Sequence, residues 1–349
     1  MFHLRQRTIG ENQPVFLIAE AGVNHNGDVT TAHKLIDAAA DAGADAVKFQ
    51  TFTAEELVSP SAPLAGHHIA NVKGDLTHFE LIKKIELPRD AHFELKAHCE
   101  KRDVVFISTP YDISSGDFLA KMEVEIIKIA SSEMTNYPLL DVIRQSKIPI
   151  ILSTGMNSWD EIVETVNFIR EAHNLVCILK CTSNYPASPE SINLRGIFKL
   201  KEAFPENAVG FSDHTEGVEI SLTALGMGVS IIERHFTLDK NAWGPDHRAS
   251  LTPEEFRYFV KAVRKSERSL GTRDWDIQAE ELAQRATMQK GVYARRNIKK
   301  GEKVTLSDVK FLRPLGQMSL KDFFLHYLNR PALVNIESNQ IITPFCFKR

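Results

Sequence analysis

Short apolar runs rich in β-branched residues alternate along the chain with longer stretches of helical spacing. The runs are VFLIAEA (15–21), DAVKFQ (45–50), VVFIST (104–109), EIIKIA (125–130), PIILST (149–154), VCILKCT (176–182), AVGFS (208–212) and SIIERHF (230–236). Between them lie amphipathic segments such as TAHKLIDAAADAG (31–43), EIVETVNFIREAH (161–173) and EISLTALGMG (219–228). Near-continuous apolar strands alternating with helices predict a parallel sheet whose outer face is covered. Eight such units predict a closed α/β architecture, a (β/α)₈ barrel. An open doubly wound sheet would carry a glycine-rich phosphate loop after its first strand, and Gly22 to Gly27 do not form one.

The pattern breaks in two places. Residues 51–103 hold more than one crossover helix, and the stretch 59–75 reads as an extended loop over the barrel mouth. A helix over 253–270, with proline in its first turn and Gly271 after its end, closes the barrel domain at 1–271. The polar segment 272–287 reads as a linker. From 288 to 349 short strands and turns predict a small β-rich domain, which depends on docking for stability.

Strands of a barrel are buried on both faces, so ionisable residues within them are costly unless paired or functional. Here almost every run ends on such residues: Glu20; Lys48 and Gln50; Thr109; Lys128 followed by Ser131 and Glu133; Ser153 and Thr154; Lys180, Thr182 and Ser183; Ser212 and His214; and His235. Alternation puts Lys48 with Gln50, and Ser212 with His214, on common faces. The carboxyl ends of barrel strands are where active sites of this fold form. Lys48, Lys128 and Lys180, flanked by apolar residues, point to an anionic substrate. His214 and His235 end adjacent strands, so their imidazoles can converge on one ion. Two imidazoles beside oxygen donors suit Mn²⁺, Co²⁺ or Zn²⁺ better than Mg²⁺ alone.

Composition narrows the setting. The 349 residues carry 43% hydrophobic and 25% charged residues and a formal net charge of -3. These values describe a globular protein with no electrostatic call on nucleic acid or membrane. No apolar run reaches bilayer length, and the N-terminus lacks a signal core. Cys99, Cys177, Cys181 and Cys346 lack metal spacing and read as free thiols in a reducing cytoplasm.

The ordered blocks IAEAGVNHNGD (18–28), GADAVKFQTF (43–52), FISTPYD (106–112), KIASSEMTNYPLL (128–140), ILSTGM (151–156), CTSNYP (181–186), GFSDHT (210–215), ERHFT (233–237) and GPDHRASL (244–251) resemble the sialic acid (N-acetylneuraminate) synthase family, which includes N,N'-diacetyllegionaminate synthases. NIKKGEKVTLSDV (297–309) is similar to the antifreeze-like (SAF) domain of those enzymes. The resemblance implies condensation of phosphoenolpyruvate with an N-acetylmannosamine-type sugar to give a nonulosonic acid. The alternative substrate it implies is 2,4-diacetamido-2,4,6-trideoxymannose. It further implies a divalent metal, Mn²⁺ first with Mg²⁺ or Co²⁺ as alternatives, on His214 and His235. Lys48, Thr109, Lys128, Ser131, Ser153, Ser183 and Ser212 would surround phosphoenolpyruvate. Gln50, Tyr185 and Asp246 would contact the sugar, with Glu20 and Glu133 near the reacting carbons as candidates for handling water. Arg313 would reach the site of a second chain in a domain-swapped homodimer. Position 183 is Ser where some members have Asn, and residues 71–77 lack a clear counterpart of a sugar-contacting asparagine. A related condensation on a sugar phosphate would call for extra cations, and no arginine cluster occurs at the strand ends.

Overall fold

The computed structural model describes residues 2–4, 7–63, 76–173, 175–272 and 274–347. The chain forms two compact units, Met1–Gly271 and Thr272–Arg349. The first opens with a short antiparallel pair, β1 (Phe2–Leu4) and β2 (Arg7–Ile9). Eight parallel strands follow: β3 (Phe16–Gly22), β4 (Ala46–Thr51), β5 (Val105–Pro110), β6 (Ile127–Ile129), β7 (Ile150–Ser153), β8 (Val176–Cys181), β9 (Ala208–Asp213) and β10 (Ile231–His235). They pair in chain order, and β10 pairs with β3 to close the barrel.

Two apolar layers follow from the strand period of two. One alternation of side chains, including Leu17, Val47, Phe106, Leu152, Ile178 and Ile232, packs against the surrounding helices. The other, including Phe16, Ile18, Ala46, Ile107, Ile151, Leu179 and Ile231, fills the barrel, and Leu4 and Ile9 of the β1–β2 pair belong to that inner cluster. The inner row of each strand is therefore apolar at its amino end. Continuing it upward by two residues reaches Glu20, Lys48, Thr109, Ser153, Cys181 and Glu233, so the polar ends face the barrel lumen.

Helix ends are set by local chemistry. Asp28 caps Val29–Ala42 by accepting from Thr30 and Thr31, and Gly43, in the left-handed region at φ 91°, ends it. Thr252 and Glu255 form a capping box around Pro253 at the start of the closing helix, Pro253–Leu270. Among the described residues, no helix is long and apolar enough to cross a membrane. The four cysteines are buried and none is in a disulfide.

In the second unit, β11 (Gly291–Ala294) pairs antiparallel with β12 (Val309–Leu312) over a core that includes Val292, Ile298, Val304, Phe323, Ile336 and Phe347. The segment expected as a linker contains a helix, Ala279–Met288, none of whose residues is buried. Good helix formers and a Gln278–Glu281 capping box make it helical, and its apolar positions at helical spacing, Ala279, Leu282, Ala283 and Ala286, are mostly alanine. The loop expected over 59–75 falls largely outside the described residues, as does most of the 71–77 stretch.

Candidate active site

At the carboxyl end of the barrel a cavity of about 520 Å³ is lined by Glu20, Lys48, Gln50, Lys128, Ser131, Glu133, Ser153, Ser183, Tyr185, Ser212, His214, His235 and Asp246. All were expected from sequence. Thr109 lies beneath the lining and is fully buried, accepting a bond from Lys48 Nζ at 3.2 Å. Arg313 is in the second unit, exposed, immediately after β12. Lys180 was expected to converge with the other two lysines, and it does not. The same alternation that turns Leu179 and Cys181 inward turns it outward, where Nζ donates to Cys181 O at 3.0 Å.

The cavity floor is a row of alternating charges. Lys48 Nζ is 2.8 Å from Glu20 Oε2 and 3.9 Å from Glu233 Oε2, and Lys128 Nζ is 3.9 Å from Glu233 Oε1. Ser212 Oγ donates to Glu233 at 2.9 Å, and Lys128 donates to Ser153 Oγ at 2.7 Å. Burial opposes charge on every member. Burial, only partly offset by Lys48, raises the Glu20 carboxyl to about 7. Burial would also raise Glu233, but the two lysines and the Ser212 bond outweigh it and hold that carboxyl below the usual range. Lys48, against burial, is raised by Glu20 and Glu233, whereas burial lowers Lys128. Glu233 was missed from sequence. Its signal was the two-residue spacing from His235, which places both on one face.

Above Lys128 the hydroxyls of Ser131 and Ser183 surround Gly155. A methyl carbon at Gly155 would sit 2.9 Å from Ser131 Oγ and 3.2 Å from Cys181 Sγ, and closer still to Ser183 Oγ. Only glycine leaves that pocket open. Cys181 lies against His214. Burial alone would raise its thiol, but the imidazole and Lys128 bring it down to about 7. Sequence treated it as an inert core thiol. Tyr111, a partly buried aromatic in the lining, also escaped notice because an aromatic beside a strand end reads as core.

The histidine rings lie 5.3 Å apart, with Tyr185 4.2 Å from His214 and 5.3 Å from His235. His214 Nδ1 pairs with the carbonyl of Thr182 at 2.8 Å, which fixes that ring and directs Nε2 elsewhere. His235 Nδ1 is buried without a hydrogen-bond partner among the described residues, and its nearest carboxylate oxygen, Asp246 Oδ2, is 3.9 Å away. Burial and the neighbouring cations keep His235 well below its usual range, hence neutral with a free lone pair. An orphaned buried nitrogen beside a second oriented imidazole fits a divalent cation. Among the described residues no group of three or more His, Cys, Asp or Glu is arranged to hold a metal.

The supports of these residues lie outside the lumen. Between Glu233 and His235, Arg234 points outward and is 1% exposed. Its guanidinium meets Asp213 Oδ2 at 2.9 Å and the carbonyls of Gly217 and Thr215 at 2.8 and 2.6 Å, holding the loop that carries His214. Asn24 donates to Phe236 O and Ser250 Oγ, both at 2.9 Å, while Asn26 approaches His247 Nε2 at 3.2 Å. These bonds pin the segment around Asp246, whose carboxyl burial raises to about 6. Gln50 Nε2 donates weakly to Glu20 Oε1 at 3.5 Å. Glu133, at the pocket edge, accepts from Asn136 Nδ2 at 2.8 Å.

Comparison with known proteins places these features. Residues 35–274 match the NeuB family and residues 289–347 the SAF domain. The chain is 39% identical over 329 residues to an N,N'-diacetyllegionaminic acid synthase of Campylobacter jejuni, covering 93% of this chain and 98% of that one. It is 32% identical over 338 residues to the N-acetylneuraminate-9-phosphate synthase of Homo sapiens, covering 96% and 93%. A crystal structure of an N-acetylneuraminic acid (sialic acid) synthetase from Leptospira borgpetersenii, in complex with citrate, aligns with a TM-score of 0.73 at 35% identity, covering 81% of this chain and 94% of that one.

Proposed function

We propose, from the premise that the chain belongs to the NeuB family and is an enzyme, that it condenses phosphoenolpyruvate with an N-acetylated amino-sugar aldehyde and water. The products are a sialic-type nonulosonic acid and inorganic phosphate, which makes it a C–C bond-forming transferase. The observation that carries the reading is one cavity joining two buried lysines and a hydroxyl pocket to a pair of oriented imidazoles. The fixed cations and hydroxyls suit a small polyanion, and the imidazoles suit a carbonyl-activating ion.

In this reading Lys48 and Lys128 neutralise the phosphate and carboxylate of phosphoenolpyruvate, and Ser131, Ser153, Ser183 and Ser212 orient them. Thr109 acts by holding Lys48. Gln50, Tyr185 and Asp246 position the sugar. A divalent ion on His214 and His235, Mn²⁺ first and Mg²⁺ or Co²⁺ as alternatives, supplies Lewis-acid polarisation of the sugar aldehyde when bound. C3 of phosphoenolpyruvate forms the new bond to the aldehyde carbon, and the aldehyde oxygen takes up the proton that Glu20 carries once the anion is bound, leaving Glu20 as a carboxylate. The cationic centre left at C2 accepts water, which gives its proton to a carboxylate. Of the two candidates we favour Glu20, because burial poises it near neutrality while it faces the lumen. The tetrahedral adduct then breaks its bond from C2 to the bridging oxygen as the C2 hydroxyl passes its proton to the departing phosphate, leaving the keto group.

Phosphoenolpyruvate labelled with ¹⁸O at the bridging position tests the sequence. The label is expected in phosphate, and its retention in the keto acid would refute the mechanism. The proposal extends to a domain-swapped homodimer in the cytoplasm, with Arg313 of one chain serving the site of the other. Mixing inactive Arg313→Ala with inactive Lys48→Ala is then expected to restore activity in mixed dimers, and no restoration removes the shared site.

A further inference from the structure

The loops after β6, β7 and β8 carry Ser131, Gly155 and Ser183, and the first two are joined by a side chain that takes no part in the chemistry. Asn157, half-buried and outside the cavity lining, donates from Nδ2 to the carbonyl of Ser131 at 2.7 Å and to that of Gly155 at 2.5 Å. Both partners are acceptors, so the amide nitrogen, with its two N–H groups, is the atom that must face them. Ser131 opens the short 3₁₀ turn after β6, and Gly155 follows β7, the strand paired with β6. One primary amide thus bolts together the ends of two neighbouring strands.

The bolt coincides with a backbone conformation that needs holding. Met156, between Gly155 and Asn157, lies in the left-handed region at φ 54°, which side chains with a Cβ disfavour. Burial does not compensate, because Met156 lines the cavity with its side chain 71% exposed. Such residues persist where their surroundings over-determine them, and they cluster at ligand clamps. On the strand side, Thr154 gives its amide, at 3.1 Å, and its hydroxyl, at 3.0 Å, to the carbonyl of Leu179 in β8. On the helix side, Ser158 and Glu161 form the capping box of Trp159–Arg170. Asn157 closes the span between these two anchors.

Resting on the synthase reading above, we propose that Asn157 is a positioning residue for phosphoenolpyruvate. It holds the loop after β7 against the loop after β6, so that the hydroxyl pocket around Gly155 is formed before the anion arrives. That pocket is narrow: a methyl carbon at Gly155 would stand 2.9 Å from Ser131 Oγ, so a small drift of either loop changes its width. With Asn157 in place, the cost of ordering the two loops falls on folding. Without it, the same cost is drawn from substrate binding. Once bound, phosphoenolpyruvate contacts both loops itself, and the steps that follow proceed from the same arrangement. The loss therefore falls on affinity and leaves turnover alone.

Two variants test this by calorimetric binding of phosphoenolpyruvate with Mn²⁺ present and by phosphate release, with melting curves to establish that each is folded. The sugars offered are N-acetylmannosamine and 2,4-diacetamido-2,4,6-trideoxymannose. Asn157→Ala is expected to raise Kd and KM for phosphoenolpyruvate about 10-fold, with kcat within about twofold of wild type and KM for the sugar unchanged. Asn157→Asp keeps the shape and loses the donor, so it is expected to weaken binding at least as much. Wild-type affinity for phosphoenolpyruvate in folded Asn157→Asp overturns the inference and leaves the synthase reading intact. A larger fall in kcat, or an equal rise in KM for the sugar, also overturns it, since either marks a general loss of structure. If the wild type neither binds phosphoenolpyruvate nor releases phosphate with either sugar, the synthase reading falls and this inference with it.

Discussion

Adding one methyl group at Gly155 is expected to abolish anion binding while sparing the fold. The new carbon would stand 2.9 Å from Ser131 Oγ and press harder on Ser183 Oγ. Both opposing atoms are ends of rotatable side chains at the cavity wall, so each can swing aside at little cost to folding. Once displaced, neither points at the substrate. Hydrogen bonds to a charged group contribute about 1.5–3 kcal/mol each, so losing two costs about 3–6 kcal/mol. At one decade per 1.4 kcal/mol, Gly155→Ala is expected to lower kcat/KM for phosphoenolpyruvate by about 10²- to 10⁴-fold. Thermal unfolding is expected to move by no more than a few degrees. Phosphate release measured across phosphoenolpyruvate concentration, beside a melting curve, separates the two effects. Gly210→Ala is the contrast, because its methyl would meet the Ile231 carbonyl at 2.8 Å inside the barrel and should cost stability first. Wild-type efficiency in Gly155→Ala would refute the placement of the anion, and a collapse in stability matching that of Gly210→Ala would refute the claim that the crowding falls on the site.

Three further outcomes follow from buried charge. Arg234→Met leaves Asp213 buried and unpaired, a loss of about 3–5 kcal/mol that should lower the melting temperature by roughly 10 °C; a shift under 2 °C would contradict it. Phosphoenolpyruvate binding should raise Glu20 further above its resting value of about 7 and so take up protons from solution at pH 8, where the substrate phosphate is fully ionised. Calorimetry in buffers of different ionisation enthalpy reads that uptake, and its persistence in Glu20→Gln would assign it elsewhere. His25, buried beside His92, is lowered from 6.5 to about 3, so the unfolded chain takes the proton first as pH falls. Its contribution is complete above about pH 6.5 and is lost progressively toward pH 3, reaching about 2 kcal/mol by pH 5. Urea unfolding at pH 7.5 and 5 should show that loss, and an equal loss in His25→Asn would rule the histidine out.

Much of this was legible in the chain because barrel strands are buried on both faces, which makes a polar residue within one conspicuous. Glu20, Lys48, Lys128 and His235 stand out for that reason. What failed was the bookkeeping of faces within a strand. Lys180 looked equivalent to Lys48, yet its neighbours Leu179 and Cys181 take the inward positions. Glu233 was hidden inside an obvious motif, since attention to His235 passed over the residue two places before it. The helix Ala279–Met288 was read as linker because its periodic apolar positions, Ala279, Leu282, Ala283 and Ala286, are mostly alanine within a polar segment.

The alternating floor has a consequence for which ions can enter. With both carboxylates ionised, Glu20 and Glu233 balance Lys48 and Lys128, so the empty site already contains its own counter-ions. An incoming anion must compete with carboxylates that are covalently tethered and therefore present at very high local concentration. Chloride or bicarbonate, with one charge and few contacts, is poorly matched to that contest. A ligand bearing several negative charges is better matched, because Glu20 is the carboxylate of the pair that gives up its charge more readily. The tethered carboxylates thus act as a threshold that screens abundant simple anions from the site.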